Sequence, residues 1–349
     1  MDFAFSEDQE LLRAAARDYL ADRMPNDRMV ALAESEAGTD PADWKAIAGL
    51  GWLDPELGLL EHAVLAEETG YALLPAPWWS TVALTWSLLD DELRDAISAG
   101  ERSATLAWAE KGGASTLAEA ATRSTVTASG DSLTGTKITV PDLTTVTDVI
   151  VVADDGLYAV DVAANPGAVV ARSTIDKTRR LGELRLDGTP ARKLDAGLDA
   201  LAEVRRRAIA LAACEATGVA QRALDIVAAY TKERQQFGRI IGTYQGVSHR
   251  VSNTYVAVQL SRSLAYWSTW AVSADDAQAD LSVAAAKATA GENSVFACEQ
   301  AIQCHGGIGF TYEHVLHRYY KRAQWINGFE GAGRKHRAAI ADSILGPAA

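Results

Sequence analysis

The sequence predicts an α+β fold that is mostly α: an N-terminal helical domain, a middle antiparallel β domain and a C-terminal helix bundle, with boundaries at 1–103, 104–197 and 198–349. Three observations predict it. Apolar residues recur at helical spacing over roughly the first 100 residues, short β-rich runs broken by turn pairs fill the middle, and helical periodicity returns in long segments to the end. Alternating βαβ units are absent, so a doubly wound sheet has little support.

The elements follow in chain order. Leu11, Leu12, Ala15, Ala16, Tyr19 and Leu20 share a helical face, and Ser6 with Gln9 makes a capping box at its start. Helices are predicted over Pro41–Leu50, Leu59–Thr69, Ser80–Leu89 and Asp91–Ser98, with Gly51, Gly70 and Gly100 as stops. Strands are predicted at Ser124–Ala128, Leu133–Val140, Val146–Ala153, Leu157–Val162, Ala168–Ala171 and Glu183–Leu186. Turns at Ser129-Gly130-Asp131 and Asp154-Asp155-Gly156 separate them, and with no helices between them they suggest an antiparallel sandwich or barrel. The last region reads as an antiparallel bundle of Leu198–Lys232, Gln245–Ala271, Ala277–Gln303 and Arg334–Leu345, with an apolar-basic helix over Leu316–Ile326.

Composition removes several function classes. With 33 Lys+Arg against 46 Asp+Glu the net charge is −13, a field that repels nucleic-acid phosphates and acidic membranes. A phosphorylated cofactor must then be held by local devices such as an aimed arginine or backbone amides. The three cysteines, Cys214, Cys298 and Cys304, form no even disulfide set and no CxxC pair, which fits a reducing cytoplasm. The acidic opening segment MDFAFSEDQELL is unlike a signal peptide, and no apolar run approaches the roughly 18 residues of a membrane span. The expectation is a cytoplasmic protein with no membrane and no nucleic-acid partner.

Three motifs can carry chemistry. Glu233–Gly238 closes a long helix and Gln245 opens the next; locally this reads as a helix stop with Gly238 as its glycine. Gln303–Gly309 holds three glycines in four positions, which let a backbone approach another surface and leave amides for a phosphate, or simply end a helix. Phe329-Glu330-Gly331 lies between two helices: a carboxylate buried beside Phe329 and Trp325 is driven toward the range of a general base, whereas an exposed one is a capping acid. His305, His314, His317 and His336 lack metal-ligand spacing, so no metal is expected.

Taken together, the order and spacing of these motifs resemble the acyl-CoA dehydrogenase family over essentially the whole chain. Glu233–Gly238 with Gln245 resembles its ERxxFG…Q signature, and Gln303–Gly309 its QxxGGxG turn. The resemblance implies a four-helix C-terminal bundle and FAD as cofactor. Glu330 then stands at the position of the catalytic base, with Phe329 replacing a tyrosine. The alternative base position of some relatives falls at about Ala208, which cannot serve. The implied reaction is α,β-dehydrogenation of an acyl-CoA to a trans-2-enoyl-CoA: Glu330 takes the α-proton, a β-hydride passes to flavin N5, and the Glu330 amide with a ribityl hydroxyl stabilises the enolate oxygen. Arg234, Phe237, Gln245, Gln303, Gly306 and Gly307 would complete the FAD site of a neighbouring subunit, and an electron-transfer flavoprotein would be the acceptor.

The middle domain departs from the family pattern. Where relatives carry Thr-Glu-Pro-x-x-Gly-Ser-Asp and Trp-Ile-Ser/Thr, this chain has Ala107–Gly113 and Ile138–Asp142. The stretch 303–323 resembles short actinobacterial subunits of steroid-type enzymes, which implies a homo- or heterotetramer with a related subunit. Two functions follow: a competent dehydrogenase using Glu330, or a catalytically degenerate structural subunit that completes a partner's FAD site.

Overall fold

In the computed structural model, residues 5–346 are described; Met1–Ala4 of the acidic opening segment lie outside them, as do 347–349. The Ser6 hydroxyl accepts from the Gln9 amide and the Gln9 side chain accepts from the Ser6 amide, so α1 (Glu7–Arg23) starts at the predicted capping box. Helix α2 (Asn26–Glu34) follows where periodicity predicted none. Asp40 caps α3 (Pro41–Gly49), then come α4 (Leu59–Ala72) and α5 (Asp91–Ser98), the last capped by Asp90. The helix expected over Ser80–Leu89 is a π-helix at Ser80–Thr85 running into a 3-10 turn at Trp86–Leu88. Side-chain hydroxyls compete with the regular ladder here: Thr85 donates to the Thr81 carbonyl and Thr81 to the Ala104 carbonyl.

The chain divides into two compact units interleaved in sequence. One comprises Val30–Leu57 and Pro75–Ala208 and contains β1 (Ala104–Ala107), α6 (Leu117–Arg123), β2 (Thr127–Ser129), β3 (Ser132–Pro141), β4 (Asp148–Val152), β5 (Leu157–Asp161), β6 (Val169–Arg172), β7 (Leu181–Pro190) and β8 (Arg192–Lys193). They form two four-stranded sheets, β1-β4-β5-β8 and β2-β3-β7-β6. Leu133, Val140, Leu184 and Leu186 of one sheet share a core with Ala107, Val149, Val151 and Val160 of the other, the alternation of a sandwich. The ladders are antiparallel except that β1 runs parallel to β4, with Ala104 opposite Asp148. Helix α6 also interrupts the expected strand-only region, started by a second capping box of Thr116 and Glu119.

The other unit comprises the described residues through Met29, then Gly58–Leu74, and the chain from Ile209 on. It takes in most of α7 (Leu201–Glu233), the short strands β9 (Gln235–Gln236) and β10 (Arg239–Ile240), and α8 (Gln245–Ser273), α9 (Ala279–His305), α10 (Leu316–Gly328) and α11 (Gly333–Leu345). Helix α9 packs against α8, α10 and α11, and α4 packs against α1 and α8. Helix α4 also presses onto α7: a Cβ at Gly218 would lie 1.9 Å from the Glu67 carbonyl oxygen, so only glycine fits that crossing. Arg322 and Glu215 form a buried ion pair beside it. Among the described residues no helix is long and apolar enough to cross a membrane.

Candidate functional site

Glu330 sits on the turn between α10 and α11. The Phe329 amide still bonds the Trp325 carbonyl at 3.0 Å, and the two rings stack at 5.6 Å, so the helix ends against its own last turn. The chain then reverses through positive φ at Glu330 (57°) and Gly331 (97°). Gly331 supplies the second of these without strain, but the left-handed region costs a non-glycine residue about 1–2 kcal/mol. Glu330 is nonetheless only 5% exposed, so the turn is held from outside.

Two helices hold it. From α9 the Lys287 ammonium donates to the carbonyls of Asn327 (2.9 Å) and Gly331 (3.3 Å), one on each side of Glu330. From α11, His336 Nε2 lies 3.2 Å from the Glu330 carbonyl oxygen and donates to it in the tautomer protonated there. Lys287 is fully buried in the run Ala284-Ala285-Ala286-Lys287-Ala288. Burial pushes its ammonium down to about 8, against the pull of the Glu330 and Glu292 carboxylates.

The second cluster lies at the far end of α9. Phe237 and Gly238, both at positive φ, turn a tight hairpin between β9 and β10, so the glycine that locally reads as a helix stop makes a β-turn. Phe237 is 93% exposed at its tip, edge-on to Tyr244 at 6.5 Å. Facing the hairpin, His305 stacks on Tyr230 at 4.1 Å and its Nδ1 lies 2.7 Å from the Ala301 carbonyl oxygen, while Gly306 turns the chain at φ 65°. Burial pushes the His305 imidazole below its usual value. Arg234, Phe237, Gly306 and Gly307 line one cleft of about 470 Å³ with Tyr230, Tyr244 and His305. Gln245 and Gln303 are exposed and are not on its walls; the Gln303 carbonyl instead accepts from the Gly306 amide.

These clusters are distinct. Lys287 and His305 are 18 residues apart on one helix, or about 27 Å at 1.5 Å per residue. Glu330 is therefore held against the middle of α9, around Lys287–Glu292, while the Arg234 cleft lies at its C-terminal end. Among the described residues no group of three or more His, Cys, Asp and Glu converges as a metal ion would require.

In the β unit, the two segments that depart from the family pattern meet where the Ile138 amide donates to the Ala109 carbonyl at 2.8 Å, and Lys137, just before the second, engages the first. Glu110 and Lys137 form a buried ion pair, and Ser124 and Thr125 donate to the same carboxylate. Burial raises the Glu110 carboxyl, but hydrogen bonds from Lys137 and Thr125 outweigh it and hold the group at about 2. Ile138 and Thr139 form an irregular step in the β3–β7 ladder, and Asp142 accepts from Ser80 at 2.7 Å. Ala208, at the alternative base position, is fully buried.

Sequence reasoning missed Lys287, His336 and Tyr230. A lone lysine in a run of alanines was the one available signal for the first.

Residues 198–345 match the acyl-CoA dehydrogenase C-terminal domain. The acyl-CoA dehydrogenase IpdE2 of Mycolicibacterium smegmatis is 31% identical over 330 residues, covering 91% of this chain and 93% of the relative. A solved variant of the Tcur3481–Tcur3483 steroid ACAD superposes with a TM-score of 0.85 at 29% identity, over 97% of this chain and 98% of that one. The ChsE4–ChsE5 complex from Mycobacterium tuberculosis shares the fold at a TM-score of 0.86 and 23% identity, with both chains fully covered. The chain belongs to the acyl-CoA dehydrogenase family.

Proposed function

We propose that this chain catalyses the α,β-dehydrogenation of an acyl-CoA thioester to a trans-2-enoyl-CoA, with Glu330 as the base. One observation carries the reading: a buried carboxylate on a left-handed turn gripped by two helices, α9 through the flanking carbonyls and α11 through Glu330's own. A surface cap would need neither the burial nor the grip. Glu330 takes the substrate α-proton on a carboxylate oxygen, and its backbone amide donates to the thioester oxygen as negative charge gathers there.

The cofactor is FAD, which when bound accepts the hydride from the β-carbon. The cleft fits its pyrophosphate: a Cβ at Gly306 or Gly307 would meet nothing within 4 Å, so a phosphate can approach the backbone there even though the Gly306 amide is held by the Gln303 carbonyl, and Arg234 adds a positive charge. With that cleft at the C-terminal end of α9 and Glu330 held against the helix's middle, Arg234, Phe237, Gly306 and Gly307 serve a neighbouring subunit's site, with Gln245 and Gln303 adjoining these residues in sequence. Phe237, 93% exposed at the hairpin tip, is open to contact with a second chain.

The steroid ACAD relative, named for two chains, favours a bulky, steroid-type CoA thioester and pairing with a related subunit, in a homo- or heterotetramer. An electron-transfer flavoprotein is the acceptor. The division 1–103, 104–197 and 198–349 is retained as the family's three-part organisation.

A second reading has its own observation. The middle-domain segments are engaged internally through Glu110 and Lys137, which favours a structural subunit that completes a partner's flavin site. The visible spectrum of the chain purified alone and with its co-purifying partner tests between them. Flavin bound and bleached by acyl-CoA, in either preparation, through this chain's Glu330 supports catalysis. Bleaching that survives Glu330→Gln supports the structural reading.

A further inference from the structure

We propose that Lys287 is a positioning residue for Glu330, tethering the turn that carries the base to the buried helix α9. This rests on the reading of Glu330 as the base. The geometry is a staple: one ammonium spans Glu330 by bonding the carbonyls of Asn327 and Gly331 at 2.9 and 3.3 Å. Asn327 lies in the last turn of α10, where helix carbonyls lack intrahelical partners, while Gly331 lies beyond the reversal. A single donor group thus joins the two strands of chain that enter and leave the left-handed residue. His336 fixes the carbonyl between them from a different helix.

Stability alone does not account for a lysine there. The side chain is fully buried, and taking a charged group out of water carries a cost that a neutral donor would not incur. Closing a helix end needs one neutral donor; Lys287 instead brings a charge and two bonds to a strained residue that carries a carboxylate. The charged or titratable groups around it are Glu330 and His336 on the turn and α11, Glu292 on α9, its ion-pair partner Arg337 on α11, and Lys335, whose stem lies against Gly331. Losing the tether leaves the carboxylate in place but free to swing, and a displacement near 1 Å at a reacting group lowers rate by about 10²-fold.

The experiment compares wild type, Lys287→Met, Lys287→Arg and Glu330→Gln in the holoenzyme with any co-purifying partner. With Lys287→Met, kcat for acyl-CoA bleaching is expected to fall about 10²-fold while KM stays within about twofold, and Lys287→Arg recovers part of the loss. The wild-type pH profile carries an inflection near pH 8 that Lys287→Met lacks. Independently of any cofactor, hydrogen exchange in the apo chain at Phe329–Gly331 speeds about tenfold with unchanged exchange elsewhere. Wild-type kcat and exchange in Lys287→Met overturn the proposal, as does a loss of kcat that merely follows a loss of melting temperature and is not eased by arginine. Should Lys287→Met not fold, Lys287→Gln takes its place with the same expectations. Bleaching that persists in Glu330→Gln overturns the underlying assignment of the base, and the exchange result then reports on the tether separately.

Discussion

Two stations along α9, around Lys287 and at His305, solve opposite problems. At the Lys287 station every device turns inward: a buried lysine, a buried histidine and a stacked Trp325–Phe329 pair close around Glu330. At the His305 end the devices face out: an exposed phenylalanine on a two-residue hairpin and an arginine-lined cleft with bare glycine backbone. The first is enclosed within one chain, and the second is open to solvent, as the proposed completion by a neighbouring subunit requires. The difference teaches that residues grouped by sequence motif need not share a place: Lys287, which holds the Glu330 turn, and His305, which lines the cleft, are about 27 Å apart along one helix.

Substitutions at the two stations should therefore fail differently. The largest expected effect is Glu330→Gln, which should lower acyl-CoA bleaching by about 10³-fold while flavin content by absorbance stays unchanged, because it removes the proposed general base and leaves the cleft intact. Loss of flavin instead would merge the two stations into one functional unit.

Lys287 supplies the next, as a pH dependence of stability. Burial lowers its folded-state value from 10.5 to about 8, so between those values the unfolded chain binds more protons than the folded one. Stability relative to Lys287→Met should consequently rise from pH 8 to pH 10.5, by about 3 kcal/mol, and be flat below pH 8. Chemical denaturation of both proteins at pH 7, 9 and 10.5 measures it; parallel curves would mean that Lys287 is not desolvated.

At the open end, Arg234→Ala should weaken FAD retention by about 30-fold, equivalent to about 2 kcal/mol for a charge-assisted contact, with the melting temperature of the apo chain unchanged. The smallest effect is Phe237→Ser, expected to alter the apo chain's stability by less than about 0.5 kcal/mol while reducing assembly in sedimentation or light scattering. A large loss of stability from Phe237→Ser would show that the hairpin tip is structural and erase the contrast.

Much of the fold was legible in short-range grammar. The Ser6–Gln9 box, Asp91–Ser98 and the start of α8 at Gln245 form as read, since each rests on contacts three or four residues apart. The same grammar was available at Thr116–Glu119 and went unread because strands surround it. The motif residues Arg234, Phe237, Gly306 and Gly307 do meet in one cleft, whereas Gln245 and Gln303 belong to the signature without lining it.

What the sequence determined by itself was periodicity, caps and motif spacing, the properties written in neighbouring residues. Tertiary structure alone decided that β1 pairs with β4 in parallel, that Phe237-Gly238 turns a hairpin, and that a lysine lies buried 43 positions before the carboxylate it attends. The physical reason is that burial and long-range hydrogen bonding depend on what other segments bring to a place. A lysine's position in the chain says nothing of the carbonyls it will meet.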